Sequence, residues 1–240
     1  MQTLSAALAD KGIAPFSDVS TAAEVADLAR TTGIVVGHRD SNQNGITAIT
    51  ARAEPAGESS GLAGFTRTAL ALHTDRSGIT EPPHLLFVAC ARAVATGGEC
   101  VTVDACAIYD DLARCDPEAL ADLSTPRTVL FGGAAGYLGA VFTSLADERI
   151  AIRLRFDKLA KFSPLAARHL PVLREVIDRH SNTFSLQPGE GYVLDNHRWL
   201  HGRRAFTGDR LLYRVHANPR PSFALPRGFR PAHASASNAA

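Results

Sequence analysis

Hydrophobic and polar positions alternate over short distances through most of the chain after about residue 69. Short apolar runs interrupted by Gly or Pro occur in ALALHTD, PHLLFVACARAV, GGECVTVDA, TVLFGG, GAVFTSL, ERIAIRLRF, NTFSLQPGEGYVLDN and RLLYRVHANP. Runs of this length, bounded by turn residues, are typical of β-strands. Many short strands with few helices predict a β-sandwich or jelly roll.

Three segments have apolar residues at intervals of three and four, which predicts helices: TAAEVADLARTTG, AIYDDLARCDPEALADLS and SPLAARHLPVLREVIDRHS. GIVVGHRD follows the first of them and predicts a short buried strand. Residues 39–62 are rich in Ser, Asn, Gly and Pro around one strand-like patch, ITAIT, and predict a long loop. Loops of this length in compact domains are often functional.

The chain length of 240 residues allows one sizeable core, so we expect a single domain over residues 1–240. The pattern favours a mainly β fold class with flanking helices, either a β-sandwich or a jelly roll, and we place the predicted jelly-roll core at about residues 65–218. Residues 228–240 end in the small, polar stretch PAHASASNAA, and we predict that this tail is disordered.

The charge balance, 25 Lys and Arg against 24 Asp and Glu, favours a small-molecule partner over nucleic acid or an anionic membrane. The N-terminus lacks a basic start followed by a long apolar run, and no stretch reaches the roughly 18 apolar residues of a membrane span. Four cysteines without CxxC spacing fit reduced thiols. We therefore expect a cytoplasmic protein, and the pattern leaves its oligomeric state open.

The stretch LALHTDRSG places His73 and Asp75 one residue apart at the end of an apolar run. On an extended strand, side chains at i and i+2 point to the same face, about 6.6 Å apart at the backbone, so both could bind one metal ion. An HxD triplet also arises often by chance. Taken alone, this pair is most simply interpreted as two polar residues with a structural role at the end of a strand.

A metal site needs a third ligand, and His201 is the best candidate, where a predicted strand ends and the chain turns at Gly202. His197 lies four residues earlier and would share a helix face with it, but the surrounding sequence is β-like. Two histidines and a carboxylate leave open metal positions, as in non-haem iron(II) oxygenases. Arg210 and Arg214 follow, and a guanidinium binds the far end of a dicarboxylate better than a lysine does.

Two long segments resemble the taurine dioxygenase and clavaminate synthase group of iron(II)/2-oxoglutarate-dependent oxygenases. They are LALHTDRSGITEPPHLLFVACARAVATGGECVTVDA and PGEGYVLDNHRWLHGRRAFTGDRLLYRV, within roughly residues 60–218. The HTD with its downstream Pro-Pro and Gly-Gly-Glu, the His-Gly-Arg and the paired arginines occur in the family's order. The resemblance implies a double-stranded β-helix, an iron(II) cofactor, and 2-oxoglutarate and dioxygen as co-substrates.

Carried over residue by residue, the resemblance implies that His73, Asp75 and His201 bind iron. Arg210 matches the arginine that holds the distal carboxylate of 2-oxoglutarate. Arg214 matches a position that binds an acidic group of the substrate in some relatives.

Cys100 departs from the family's pattern, because relatives often place a threonine at this position to share the 2-oxoglutarate carboxylate. Thr102 lies two residues further on the same strand face. Either Thr102 supplies the hydroxyl that binds the 2-oxoglutarate carboxylate, or Arg210 makes a larger share of the contacts to that carboxylate.

Arg153 and Arg155 share one face of a predicted strand in AIRLRF, and a solvent-facing strand surface is the ordinary interpretation. In a jelly roll the same face of some strands lines the pocket. Arg155 is therefore as good a candidate for substrate contact as for the solvent-facing surface, and Arg153 is a weaker candidate. Asn196 is a candidate to support His201 by hydrogen bonding. Trp199 is expected to pack in the core.

The expected reaction is oxidation, most simply hydroxylation, of an unactivated C–H bond in an amino-acid-like or carboxylate-bearing metabolite. Asp75 argues against a halogenase, since halogenating relatives carry a small residue there. The alternative is a metal-dependent jelly-roll hydrolase or isomerase that does not use 2-oxoglutarate, and Arg210 speaks against it. A non-catalytic binding protein would have no reason to retain the three ligands and Arg210. Residues 39–62 and 132–139 are expected at the pocket mouth.

Overall fold

The computed structural model describes residues 2–52, 61–93 and 96–232. Its strands are β1 (Ile13–Phe16), β2 (Gly33–Val36), β3 (Ile46–Ile49), β4 (Leu70–His73), β5 (Leu85–Arg92), β6 (Thr96–Gly97), β7 (Cys100–Asp104), β8 (Val129–Phe131), β9 (Tyr137–Gly139), β10 (Phe142–Ser144), β11 (Ile150–Ile152), β12 (Ala160–Phe162), β13 (Asn182–Phe184), β14 (Gly191–Asp195), β15 (Trp199–Arg203), β16 (Phe206–Thr207) and β17 (Leu211–Pro219). The helices are α1 (Gln2–Lys11), α2 (Ala22–Thr32), α3 (Ala105–Cys115), α4 (Pro117–Leu123), α5 (Pro164–Ala167) and α6 (Leu170–Arg179).

Two antiparallel sheets position the site. The larger has the order β1-β14-β5-β17-β2, with β3 also paired to β17, and the smaller has the order β13-β7-β15-β4. Three small sheets complete the strand content of the described residues: β10 with β11, β16 with β6, and β8 between β12 and β9. The expectation of a mainly β chain with flanking helices is confirmed.

The core lies on both faces of the larger sheet because its central strand β5 is apolar at successive positions. Leu86 and Val88 pack with Cys100 of the smaller sheet, while Leu85 and Phe87 pack against α1 and α2. A strand buried on both faces shows a continuous apolar run instead of alternation. A third cluster covers the outer side of the smaller sheet with α3, α4 and α6.

The segment around His201 differs from its prediction. His201 lies inside β15, and Gly202 continues the strand instead of turning the chain. A Cβ at Gly202 would lie 2.6 Å from the backbone oxygen of Leu70, so glycine is required by the close approach of β4. β15 departs from regular register against β4 between His201 and Arg203.

The strand predicted through Arg155 is also shorter than expected, since β11 ends at Ile152. The predicted disorder of residues 228–240 is wrong for residues 228–232. Phe229 is buried, and it exchanges two backbone hydrogen bonds with Ile150, of 2.7 and 2.9 Å. Residues 233–240 lie outside the described residues, as do residues 53–60 of the predicted loop. None of the helices in the described ranges is long and apolar enough to cross a membrane.

Candidate metal centre and substrate cavity

The smaller sheet brings the two candidate histidines together. β15 lies between β4 and β7, and His201 is the partner of His73 on one side and of Thr102 on the other. Residues directly opposite in paired antiparallel strands project to the same face. Strand pairing therefore places two residues that are far apart in sequence next to each other.

Asp75 completes the set just beyond the end of β4. Its Oδ1 lies 3.2 Å from Nε2 of His73 and 3.6 Å from Nε2 of His201. One ligand atom from each of the three residues lies within 4.8 Å of the other two. All three predicted metal ligands are thus adjacent in space.

The hydrogen bonding of His73 suits a cation between these atoms. Its Nδ1 lies 2.9 Å from the carbonyl oxygen of Ala71. A carbonyl only accepts, so Nδ1 carries the hydrogen and Nε2 of the neutral ring keeps its lone pair. That lone pair and Oδ1 of Asp75 are two acceptors facing each other, an arrangement that a bound metal ion stabilises.

The ionisation of the set also fits metal binding. Burial opposes the charge of Asp75, but the guanidinium of Arg214 and the hydrogen bond from His216 outweigh it and hold the pKa of Asp75 well below 3.8. Burial lowers the pKa of His201 from 6.5 to about 4, and neighbouring His73 adds to the effect. Asp75 is therefore an anion and His201 a neutral donor near pH 7, the forms in which they bind metals. Nδ1 of His201 is buried without a hydrogen-bond partner among the described residues.

Asn196 anchors the backbone of Asp75. Its side-chain oxygen accepts from the N–H of Asp75 at 2.7 Å, and its amide donates to the carbonyl oxygens of Asp75 and Pro83 at 3.0 Å each. The prediction that Asn196 supports His201 is wrong, because these bonds all fix the loop after β4.

Arg76, the residue after Asp75, has a left-handed φ of 55°, which is uncommon outside glycine. Its guanidinium donates to the carbonyl oxygen of Gly37 at 2.8 Å.

The second oxygen of Asp75 has two further donors. Nε2 of His216 lies 2.7 Å from Oδ2, and Nη1 of Arg214 lies 3.2 Å from it. Arg214 was predicted to meet substrate, and it lines the same cavity as Asp75. The carboxylate is therefore held from two sides.

Arg210 lies in a buried position beside Cys100. Its Nη2 is 3.8 Å from Sγ of Cys100, and its guanidinium carbon is 5.7 Å from the centre of the Phe206 ring. Among the described residues, no carboxylate lies within ion-pair distance of Arg210. Burial raises the pKa of Cys100, against the opposing charge of Arg210, so the thiol is neutral. Thr102 projects from the same face of β7 as Cys100, opposite His201.

A cavity of about 530 Å³ is lined by two of the three predicted ligands, His73 and Asp75, and by Arg214. Arg155 is in its wall, where Nε donates to Asp157 at 2.6 Å. The predicted loop regions contribute as expected, at positions 39, 40 and 61 and at positions 132, 135 and 136.

Arg153 is not at the cavity. Its guanidinium donates to the carbonyl oxygens of Ser77 at 2.6 Å, Ile79 at 2.5 Å and Thr80 at 3.0 Å. It also lies 3.9 Å from the centre of the Tyr137 ring. Arg153 and Arg155 do not share a strand face, since β11 has already ended, and Arg153 holds the loop that follows Asp75.

Two glycines form a close contact in the cavity wall. A Cβ at Gly78 would lie 2.7 Å from the α-carbon of Gly132, and the converse distance is also 2.7 Å. Gly132 has a φ of 86°, which side chains rarely adopt. The loop after Asp75 and the glycine-rich loop after β8 therefore touch through their backbones.

His216 and His38 were missed by the sequence reasoning. His216 lies two residues after Arg214 on β17, the same i, i+2 spacing that identified His73 and Asp75, so the alternation rule could have found it. His38 stacks against His216 with ring centres 5.7 Å apart, and nothing in the sequence predicts this contact. His197, considered briefly as a ligand, packs instead against His84 with ring centres 5.7 Å apart.

One other set of a histidine and two acidic residues could hold a metal by distance alone within the described ranges: Glu118, Asp122 and His169. Arg168 already contacts this set. Its Nη2 lies 2.8 Å from Glu118 and 2.5 Å from Asp122. A guanidinium therefore supplies the positive charge that an ion would bring.

The family described as "Taurine catabolism dioxygenase TauD, TfdA family" matches residues 1–216 of the chain. Human gamma-butyrobetaine dioxygenase is 26% identical over 159 residues, covering 59% of this chain and 41% of that protein. The chain therefore spans about two fifths of the length of this curated relative.

Solved structures with the same fold include an asparagine oxygenase in complex with Fe(II), 2S,3S-3-hydroxyasparagine and succinate. Its TM-score is 0.68 at 16% identity, over 95% of this chain and 84% of that one. The non-heme iron oxygenase OrfP in complex with Fe and alpha-ketoglutaric acid has a TM-score of 0.63 at 18% identity, over 86% and 69% of the two chains. At these identities the likeness concerns the fold, and it supports the jelly-roll assignment.

Proposed function

Because the chain belongs to the TauD/TfdA family of taurine catabolism dioxygenases, we propose that it is an iron(II)- and 2-oxoglutarate-dependent dioxygenase. It hydroxylates an unactivated C–H bond of a small, amino-acid-like or carboxylate-bearing metabolite. One dioxygen and one 2-oxoglutarate are consumed for each hydroxylated product, with release of succinate and carbon dioxide. Bound iron(II) would supply the redox chemistry, and the protein holds and orients the reactants.

The observation that carries the proposal is the convergence of two imidazole nitrogens and one carboxylate oxygen at the edge of a cavity. His73, Asp75 and His201 would hold the iron. Three protein ligands leave open positions on a metal for co-substrates.

Arg210 would bind the distal carboxylate of 2-oxoglutarate. A buried guanidinium without a carboxylate partner among the described residues is costly, and an anionic ligand relieves that cost. Arg210 contacts Cys100, and Cys100 lies two residues, about 6.6 Å, along β7 from Thr102, which is opposite His201. A five-carbon dicarboxylate can bridge that distance. A thiol is a weak donor, so Arg210 does most of the holding, and the hydroxyl of Thr102 lies nearer the iron ligands.

Arg214 and Arg155 are the cations that would meet an anionic group of the substrate, since both line the cavity. Asp157 beside Arg155 adds a negative charge, which suits a substrate that carries both signs. Similar proteins are associated with such molecules. The asparagine oxygenase structure contains hydroxyasparagine, an OrfP structure contains hydroxy-L-Arg, and the human relative is named for gamma-butyrobetaine. Amino acids are therefore the first substrates to screen, by substrate-stimulated succinate release.

The test is anaerobic addition of iron(II) and 2-oxoglutarate, which should give the weak visible charge-transfer band of the iron chelate. Arg210→Ala should raise the 2-oxoglutarate concentration needed for half of the band by about tenfold or more, since a charge-assisted bidentate contact is lost. Arg214→Ala should raise it much less. Arg168→Ala, which removes a guanidinium remote from the cavity, is the matched control and should leave the titration unchanged.

Absence of the band in protein shown to bind iron would contradict the use of 2-oxoglutarate and favour the hydrolase or isomerase alternative. A larger effect of Arg214→Ala than of Arg210→Ala would mean that the two arginines have the opposite roles.

A further inference from the structure

The carboxylate of Asp75 uses its two oxygens differently. Oδ1 faces Nε2 of His73 and of His201, at 3.2 and 3.6 Å. Oδ2 is on the other side, 2.7 Å from Nε2 of His216 and 3.2 Å from Nη1 of Arg214. We propose that His216 is a positioning residue that holds Asp75 as a one-oxygen ligand of the iron and keeps it there when Arg214 engages the substrate. The inference rests on the proposed function.

His216 is well placed to be a fixed donor. It lies on β17, a strand paired on both sides, where it is opposite Leu86 of β5 and Val36 of β2. Only 2% of the residue is exposed, and His38 packs against the ring. The imidazole therefore has little freedom to turn away from Asp75.

The direction of the hydrogen bond follows from the acceptor. An ionised carboxylate oxygen only accepts, so Nε2 of His216 carries the hydrogen and donates to Oδ2 of Asp75. A bond of this kind to a charged acceptor is stronger than one between neutral groups. It directs the remaining oxygen, Oδ1, at the point where the two ligand histidines converge.

Arg214 makes the second bond to Oδ2, but it is also exposed to the cavity. Its side chain is in the cavity wall, and its Nε is buried without a hydrogen-bond partner among the described residues. A substrate anion would compete with Asp75 for this guanidinium. His216 lies behind Asp75 and is not part of the cavity lining, so substrate cannot compete for its hydrogen bond.

The two donors to Asp75 therefore differ in their access to substrate, because Arg214 lines the cavity and His216 does not. Arg214 is free to rotate toward an anionic group while His216 retains the carboxylate. Without His216, the same rotation would leave Oδ2 without a donor, and the carboxylate would no longer hold Oδ1 toward the two ligand histidines, where iron would bind.

The test compares His216→Phe, which removes the donor while keeping an aromatic ring, with His216→Gln, whose amide can donate in place of Nε2. Iron(II) affinity is measured anaerobically by competition with a chelator, and the ratio of succinate to hydroxylated product is measured in turnover. His216→Phe should weaken iron binding by about tenfold or more, the usual range for a lost hydrogen-bond partner of a metal ligand. It should also raise the ratio, and His216→Gln should restore both.

His169→Phe is the matched control. Nε2 of His169 lies 2.8 Å from Oδ2 of Asp122, and Arg168 contacts the same carboxylate, so the variant breaks a comparable trio away from the cavity. Iron affinity should be unchanged in it. Circular dichroism of all three variants establishes that each is folded.

Arg214→Ala tests the same idea with His216 intact, and decides it if His216→Phe does not fold. Iron affinity should persist in Arg214→Ala, because His216 still holds Asp75. A tenfold loss there, or wild-type iron affinity and product ratio in His216→Phe, would overturn the proposal. Equal losses in His216→Phe and His216→Gln would overturn it too, since the ring then acts by packing. If the wild type itself gives no charge-transfer band, the proposed function fails instead.

Discussion

Among the described residues, two clusters hold histidine and carboxylate groups close enough together to bind a metal ion, and they differ in what surrounds them. In the cavity cluster, His73, Asp75 and His201 face each other with acceptor atoms, and the donors to Asp75 are on its far oxygen. In the helical cluster, Arg168 lies between Glu118 and Asp122.

The difference shows that distance alone does not define a metal site. A carboxylate that already accepts from a guanidinium has little to gain from an ion, whereas converging lone pairs with no donor between them repel one another until a cation binds. Exposure adds to the contrast. The side chain of Asp75 is 6% exposed and that of Glu118 is 72% exposed, so water screens the helical cluster much more.

The largest effect that separates the clusters is expected from His201→Ala. Removing one of three ligands should lower iron(II) affinity by more than about 100-fold and abolish succinate formation, with the protein still folded. His169→Ala removes the corresponding histidine of the helical cluster and should change neither quantity. Iron affinity by anaerobic titration and succinate release decide the comparison. Retained turnover in His201→Ala would remove His201 from the ligand set.

A smaller effect is expected from Asn196→Ala, because only the cavity cluster has its carboxylate residue anchored by a buried amide. The substitution leaves the N–H of Asp75 and two carbonyls without a partner, which should lower the free energy of unfolding by about 2–4 kcal/mol. Asn218→Ala is the control, since exposed Asn218 accepts one bond, from the N–H of His84. Chemical denaturation measures both variants. Equal, small losses would mean that Asn196 does not hold the loop.

The smallest effect is in the response to acid of the metal-free protein. His201 has a pKa of about 4 when folded against 6.5 ordinarily, so the unfolded chain takes up its proton first as pH falls. Its neutral form therefore contributes stability in full above pH 6.5, and this is lost progressively down to about pH 4. His201→Phe should flatten the dependence of the unfolding free energy by up to about 1.4 kcal/mol per pH unit.

Leu200→Val provides the control for that measurement, because it alters a buried neighbour without a titratable group. It should lower stability equally at every pH in the window. An unchanged slope in His201→Phe would show that His201 is not protonated differently in the two states.

The sequence carries the local part of this site. The i, i+2 spacing predicted that His73 and Asp75 lie together, and they do, although β4 ends at His73 and Asp75 lies just beyond it. The order of the family's motifs predicted His201 and Arg210 as further site residues. What alternation does not determine is which face of a strand points inward, since that depends on pairing with strands distant in the chain. His216 shares the face of Arg214, two residues before it, but the sequence does not show that this face meets Asp75, which is distant in the chain.

Loop contacts were less accessible still. Asn196 was expected beside His201 and bonds to Asp75 instead, because a loop after β14 meets the loop after β4. Arg153 was placed on a strand that ends one residue before it. Such contacts depend on where a strand stops, which is the least certain feature of a sequence-based prediction. Phe229 lies in a stretch of low apolar content, and its pairing with Ile150 and its packing in the core order it.

The contact of Gly78 with Gly132 has a consequence for redesigning substrate scope. Any side chain at either glycine must force the two loops apart, and one of those loops begins at an iron ligand of the proposed site. Enlarging or narrowing the cavity is therefore better attempted at Ala135 or Leu159, lining residues that already carry side chains. The contact between the two glycines must be kept, and substrate selectivity can be varied at other residues of the cavity wall.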